Sequence, residues 1–145
     1  INLNSCSNLL AIIDKKKIII DESIIDNIKK ELEEFPVSKN DFNIIVLHHH
    51  PIKHSNTDEL DYPDNDSLGN GEKLLDSLRP FGFDFVIHGH KHWARISNYN
   101  STNVFCSGSF SSTANVSFTS YTNLFHIIEL VKDGKKTKGK IFSWD

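Results

Sequence analysis

The chain has 145 residues, of which 38% are hydrophobic and 24% charged, and its formal net charge is -3 at pH 7. These values are typical of a single globular domain and exclude binding to nucleic acid through overall positive charge. Its apolar runs have the length of strands, far shorter than a membrane-spanning helix. The two cysteines, Cys6 and Cys106, form no CxxC pair and no disulfide framework, so we expect two buried thiols and a cytoplasmic location.

The first third of the sequence predicts a hairpin followed by a helix. Residues 9–13 and 18–20 are apolar and flank a lysine-rich turn, which is typical of paired strands. Ser23 and Asp26 have the spacing of a capping box, and apolar residues then recur at helical spacing before Pro36. These positions, which we expect to face the core, are Ile24, Ile25, Ile28, Leu32 and Phe35.

The middle of the sequence predicts a βαβ unit. Residues 44–47 are apolar at every position, as in a strand that is covered on both faces of a parallel sheet. An irregular, acidic segment follows over residues 51–70, then a helix over 70–78 and a second buried strand over 83–87. The two strands should therefore lie parallel, joined by a right-handed crossover.

The last third predicts short strands in an antiparallel arrangement. They fall at residues 95–99, 104–106, 116–118, 124–131 and 140–144. Asp133 and Gly134 form a typical hairpin turn. No linker divides the sequence, so residues 1–145 are predicted to form a single α/β domain with a mixed sheet and an antiparallel C-terminal part.

Six of the eight histidines lie in two clusters, each directly after one of the buried strands. The carboxyl ends of parallel strands meet at one edge of a sheet, so the clusters should lie close together. Neutral imidazole is a good ligand for zinc, iron and manganese, and Gly89 should allow a sharp turn. The residues predict a metal site, whereas His54 and His126 are expected to be structural or exposed. The cluster members are His48, His49, His50, His88, His90 and His92.

The segments Leu-His-His-His-Pro (47–51) and His-Gly-His-Lys-His (88–92) resemble the last two motifs of the calcineurin-like metallophosphoesterase superfamily. Residues 3–6 are similar to the strand that follows the family's third motif. The resemblance implies part of a β-sandwich flanked by helices, in a four-layer α/β/β/α arrangement. It also implies a hydrolase that cleaves a phosphomonoester or phosphodiester with two divalent ions, such as manganese, iron or zinc.

Carried over position by position, the resemblance implies metal ligands at His49, His90 and His92. His49 and His90 would hold one ion, and His92 the other. Four further residues are expected in supporting or substrate-facing positions, and His88 as a packed side chain. Those four are His48, His50, Trp93 and Arg95; the last two have rim packing and surface charge as alternatives.

The family's three N-terminal motifs, Asp-x-His, Gly-Asp-x-x-Asp and Gly-Asn-His-Asp/Glu, do not occur in this sequence. They supply the carboxylate that bridges the two ions. The chain begins at Ile1 and contains no methionine, so we expect the missing segment to lie on the same or another polypeptide. Without it, the chain alone should be inactive.

The substrate is expected to be a small or medium phosphate ester. Nucleic acid is an alternative, but the acidic segment after the first cluster would repel a phosphate backbone. Two other functions stay open at this point. One is a non-catalytic scaffold of the same fold with a degenerate metal site, and the other is a mononuclear histidine site.

Overall fold

Two sheets and two helices form the described part of the chain. A computed structural model describes residues 2–3, 18–38, 40–53, 67–90, 94–108, 110, 123–133 and 136–145. The elements are β1 (Asn2–Leu3), α1 (Glu22–Glu34), β2 (Ile44–Leu47), α2 (Gly71–Leu78), β3 (Phe85–His88), β4 (Ala94–Tyr99), β5 (Thr102–Ser107), β6 (Phe125–Asp133) and β7 (Lys136–Trp144). One sheet has the order β1-β2-β3-β5-β4, and the other is the hairpin β6-β7. The predicted α/β class with a mixed sheet is confirmed.

The βαβ unit is present as predicted. β2 and β3 pair in parallel from Ile44↔Phe85 to Leu47↔His88, with α2 between them in sequence. Within the C-terminal third, β4 pairs with β5 and β6 pairs with β7, both antiparallel as predicted. β5 also lies parallel to β3, which makes the larger sheet mixed. Asn100 and Ser101, both at positive φ, make a tight turn that folds β5 back between β3 and β4.

Both helices cover the same face of the five-stranded sheet. The core contains Ile45, Leu47, Val86 and Val104 from the strands. The helices contribute Ile25 and Leu32 from α1 and Leu74, Leu75 and Leu78 from α2. All three leucines of α2 are therefore buried. Within the described residues, neither helix is long and apolar enough to cross a membrane.

The start of α1 differs from the predicted capping box. The helix begins at Glu22, and Asp21 caps it by accepting a hydrogen bond of 2.8 Å from the Ser23 amide. The Ser23 hydroxyl donates to the same carboxylate oxygen, and these bonds hold the pKa of Asp21 below its ordinary value. At the other end Phe35 caps the helix and is 70% exposed, so its predicted core position is also wrong.

Residues 18–20 run beside the segment that leads into α2. Ile18 forms a parallel bridge with Leu68. The Asn70 side chain accepts from the Ile20 amide at 3.0 Å and donates to its carbonyl at 2.7 Å. The predicted partner strand at residues 9–13 lies outside the described residues, as does the predicted strand at 116–118.

The hairpin packs on the sheet face opposite the helices. Along β6, half-buried residues alternate with exposed ones, and the cavities beneath it are lined by residues of β3, β4 and β5. The side chain of Val46 in β2 lies on this same face of the sheet and is 41% exposed. The prediction that residues 44–47 are covered on both faces is therefore wrong, because the hairpin lies over β3 and β5.

Asp84 joins the two sheets. Lys132 of β6 donates to both oxygens of its carboxylate at 2.8 Å, and Thr137 of β7 donates to one of them. On the other side, the Asn43 amide donates to Asp84 Oδ2 at 3.0 Å, just before β2. Burial alone raises the pKa of Asp84, but the hydrogen bonds from Lys132, Thr137 and Asn43 together hold that pKa below its ordinary value.

We expect Asp84→Asn to lower the free energy of unfolding by about 2 kcal/mol at pH 7, because it leaves the half-buried Lys132 ammonium without its carboxylate. A carboxyl group with a lowered pKa in the folded protein stabilises the fold at pH values above about 3.9, its pKa in the unfolded chain. This stabilisation is lost as the pH falls through the pKa of the folded state. The difference between wild type and variant should therefore shrink below about pH 4.

Urea unfolding followed by circular dichroism at pH 7 and pH 3.5 measures both effects. Asp133→Asn is the matched control, because its ion pair with Lys138 is mostly exposed. That change should cost less than about 0.5 kcal/mol. An equal loss in the two variants would contradict the role of Asp84.

Candidate metal centre

The two histidine clusters meet at the carboxyl edge of the five-stranded sheet. β2 ends at Leu47 and β3 at His88, and these two residues are register partners. The pairing continues one step further, since the Gly89 amide donates to the His48 carbonyl at 3.1 Å. The parallel register therefore brings together two loops that are about forty residues apart in sequence.

Three of the histidines converge on one point. The ring nitrogens of His48, His49 and His90 available to a metal all lie within 4.8 Å of one another. Their ring centroids are 4.7 to 5.0 Å apart. His49 is buried and the other two reach the surface, so an ion could enter from solvent.

The donor set suits a borderline transition-metal ion. His48 Nε2 and His90 Nδ1 are 3.1 Å apart, a hydrogen-bonding distance. Two nitrogens bound tetrahedrally to zinc at about 2.1 Å are themselves about 3.4 Å apart. A cation can therefore replace the proton between these rings with little movement. Zinc, iron and manganese all accept neutral imidazole.

The sharp turn in the second cluster falls at His90 rather than at Gly89. His90 has a φ of 70°, in the left-handed region that non-glycine residues rarely adopt. A Cβ added at Gly89 would meet nothing closer than 3.9 Å, so this glycine is not sterically required. The left-handed conformation costs about 1 kcal/mol. It turns the His90 ring towards His48 and His49.

His50 and His88 lie beneath the cluster. Both are at most 1% exposed, and their ring centroids are 6.0 Å apart. The His50 ring also stacks on His90, with centroids 6.3 Å apart and planes inclined by 19°. The His50 carbonyl accepts from the Leu68 amide at 2.9 Å, which fixes the first loop against the entry to α2. The supporting role of His50 stays a prediction.

The structure separates the remaining sequence-based candidates. His92, Trp93 and His54 lie outside the described residues, so His92 stays a predicted ligand. Arg95 is half-buried on β4, where it is the register partner of Cys106. Cys106 is in turn the partner of His88, so Arg95 lies two strands away from the second cluster.

His126 and Cys106 have structural positions, as expected. His126 bridges the sheets, with Nε2 2.6 Å from the Ser107 carbonyl oxygen and Nδ1 2.8 Å from Ser143 Oγ. Cys106 is 1% exposed, and its Sγ donates to the Gly89 carbonyl at 3.6 Å. The thiol therefore helps to hold the second histidine loop.

His48 belongs to the predicted histidine clusters, but the sequence predicts a supporting or substrate-facing position for it rather than that of a metal ligand. It follows β2 directly, and the resemblance assigns the ligand position to His49. The His48 side chain is exposed because of the path that the chain takes after β2. No sequence pattern predicts that path. No protein-family model matches the chain, and the curated proteins contain no match to it.

Proposed function

We propose that this chain supplies the histidine ligands of a metal-dependent phosphoesterase. The observation that carries the proposal is the convergence of His48, His49 and His90 at the carboxyl edge of two parallel strands. This is the edge at which ligands bind in open α/β sheets. The two loops that hold the cluster are those whose sequences resemble the metallophosphoesterase motifs.

The described residues would bind and orient the ion. His49 would hold it from the buried side, and His48 and His90 from the solvent side. The backbone bond from Gly89 to His48 fixes the spacing of the two loops. Bound divalent ions supply a nucleophile at neutral pH and stabilise charge on the phosphoryl group. The proposed substrate is a phosphate ester.

A binuclear centre needs more than these imidazoles. They are neutral ligands, and two close cations repel each other unless a carboxylate offsets their charge. No carboxylate belongs to the cluster among the described residues. We propose that aspartate and asparagine ligands on an upstream segment complete the centre, with His92 as a ligand of the second ion.

The proposed complete fold has four layers. The described residues form a helical layer, the five-stranded sheet and the β6-β7 hairpin. Helices on the outer side of the hairpin sheet would complete the α/β/β/α arrangement. Half-exposed apolar residues on that side, such as Ile127 at 56% and Val131 at 51%, support a further layer there.

The test is reconstitution with a segment that carries the three upstream motifs. With manganese, the mixture should hydrolyse bis(4-nitrophenyl) phosphate, and His49→Ala should abolish the reaction. The Asp133→Asn variant is the control, since its ion pair with Lys138 is mostly exposed and lies at the far end of β6. A folded, metal-loaded complex that does not hydrolyse the ester would contradict the proposed phosphoesterase activity.

The second candidate is a non-catalytic scaffold. The observation that favours it is the same all-imidazole cluster, which holds one ion more readily than two. Metal analysis of the reconstituted complex separates the two functions. Two ions per complex are expected for the phosphoesterase, and one ion without hydrolysis would support the scaffold.

A further inference from the structure

A cavity of about 280 Å³ opens between the two sheets, at the same edge as the histidine cluster. Its walls come from the ends of β3 and β5 and from the start of β6. They are mostly apolar and aromatic, which is typical of sites for small organic groups. The apolar lining residues are Ile87, Phe105, Phe110, Leu124, Phe125 and Ile128.

Polar groups are confined to one side of the cavity. There His126 bonds to the Ser107 carbonyl and to the Ser143 hydroxyl. The His126 ring also lies edge-on to Phe105, with centroids 5.0 Å apart and planes at 85°. These contacts hold the His126 ring against Phe105 at the polar side of the cavity.

The backbone places the cavity next to the proposed metal centre. Ile87 in its wall precedes His88 and Gly89, which lead into His90. Ser107 at its mouth follows Cys106, the register partner of His88. Neighbouring strands are about 4.8 Å apart, so the mouth lies roughly one strand spacing from the second histidine loop. That separation is within the length of an aryl phosphate ester.

We propose that this cavity holds the organic group of the substrate, and that this group is an aryl ring. The statement that the bound group belongs to a substrate rests on the proposed phosphoesterase function. The volume and the rings of Phe105 and Phe110 suit a single aryl ring, which can pack edge-to-face against them. Among the described residues, no lysine or arginine lines the cavity, so the phosphate group stays outside, towards the histidines.

The test uses p-cresol, a neutral aryl probe, and the chain without metal. Binding is followed by amide chemical shifts in ¹H–¹⁵N spectra. We expect a dissociation constant on the order of 1 mM, as for other fragments of this size. The shifted amides should belong to Ile87, Ser107 and Ile128. Because the probe has no phosphate, a negative result would overturn the aryl site without testing hydrolysis.

A pair of variants at adjacent positions of β6 sharpens the test. Ile128→Phe puts a ring into the cavity and should weaken p-cresol binding at least about fivefold. Ile127→Phe adds the same ring on the exposed outer side of the strand and should leave binding unchanged. Equal weakening in both variants, or shifts confined to the outer face around Trp144, would overturn the proposal. Should Ile128→Phe unfold, Leu124→Trp provides a second way to fill the cavity.

Discussion

Replacing His90 with alanine should lower the affinity of the chain for Zn²⁺ by about 100-fold or more. Mutating groups that only support a ligand already costs 10- to 100-fold, and His90 is one of three converging rings. Competition with a chromophoric chelator measures the affinity directly. The chain alone is sufficient for this experiment, because it contains all three rings.

The His48→Ala variant distinguishes the ligand set that the structure brings together from the ligand set that the family resemblance implies. The structure brings His48 into the cluster, whereas the family pattern assigns ligands to His49, His90 and His92. We expect His48→Ala to weaken zinc binding about as much as His90→Ala. His126→Gln is the control and should keep the wild-type affinity. Loss of affinity in His92→Ala with none in His48→Ala would show that the family pattern alone defines the site.

The sequence was sufficient to predict the βαβ unit and the edge at which the histidines meet. Consecutive apolar residues at 44–47 and 85–87 are a local signal, and the helix between them carries its own leucine pattern. The parallel direction of β2 and β3 follows from this unit, and the structure adds the register Leu47↔His88. The prediction of a metal site at that edge therefore depends only on these short local patterns.

Long-range choices could not be predicted in the same way. β5 could pair with several strands, and its position beside β3 depends on the turn at Asn100 and Ser101. Asp84 falls within the predicted strand at 83–87, but it precedes β3 and joins both sheets. The choice of Asp21 over Ser23 as helix cap is similar, because both side chains are good caps. Each outcome depends on partners that are distant in sequence or on the path of the preceding loop.

The largest effect on stability is expected for Gly71→Ala. Gly71 begins α2, and a Cβ there would lie 2.0 Å from the Pro51 carbonyl oxygen and 2.5 Å from Pro51 Cα. Both atoms belong to the backbone, so the helix or the loop must move. Alanine has the higher helix propensity, by at most about 1 kcal/mol. Because overpacking costs more than this, we expect a net loss of about 3 kcal/mol in the free energy of unfolding.

The same substitution should also weaken metal binding, because Pro51 directly follows His49 and His50. Urea unfolding and zinc titration of one sample measure both effects. Gly82→Ala is the matched control: its φ is 73°, but an added Cβ would meet no atom within 4 Å. It should lose about 1 kcal/mol from the backbone conformation alone and keep the wild-type zinc affinity. Gly71→Ala with unchanged stability would show that the close packing of α2 on Pro51 does not fix the first histidine loop.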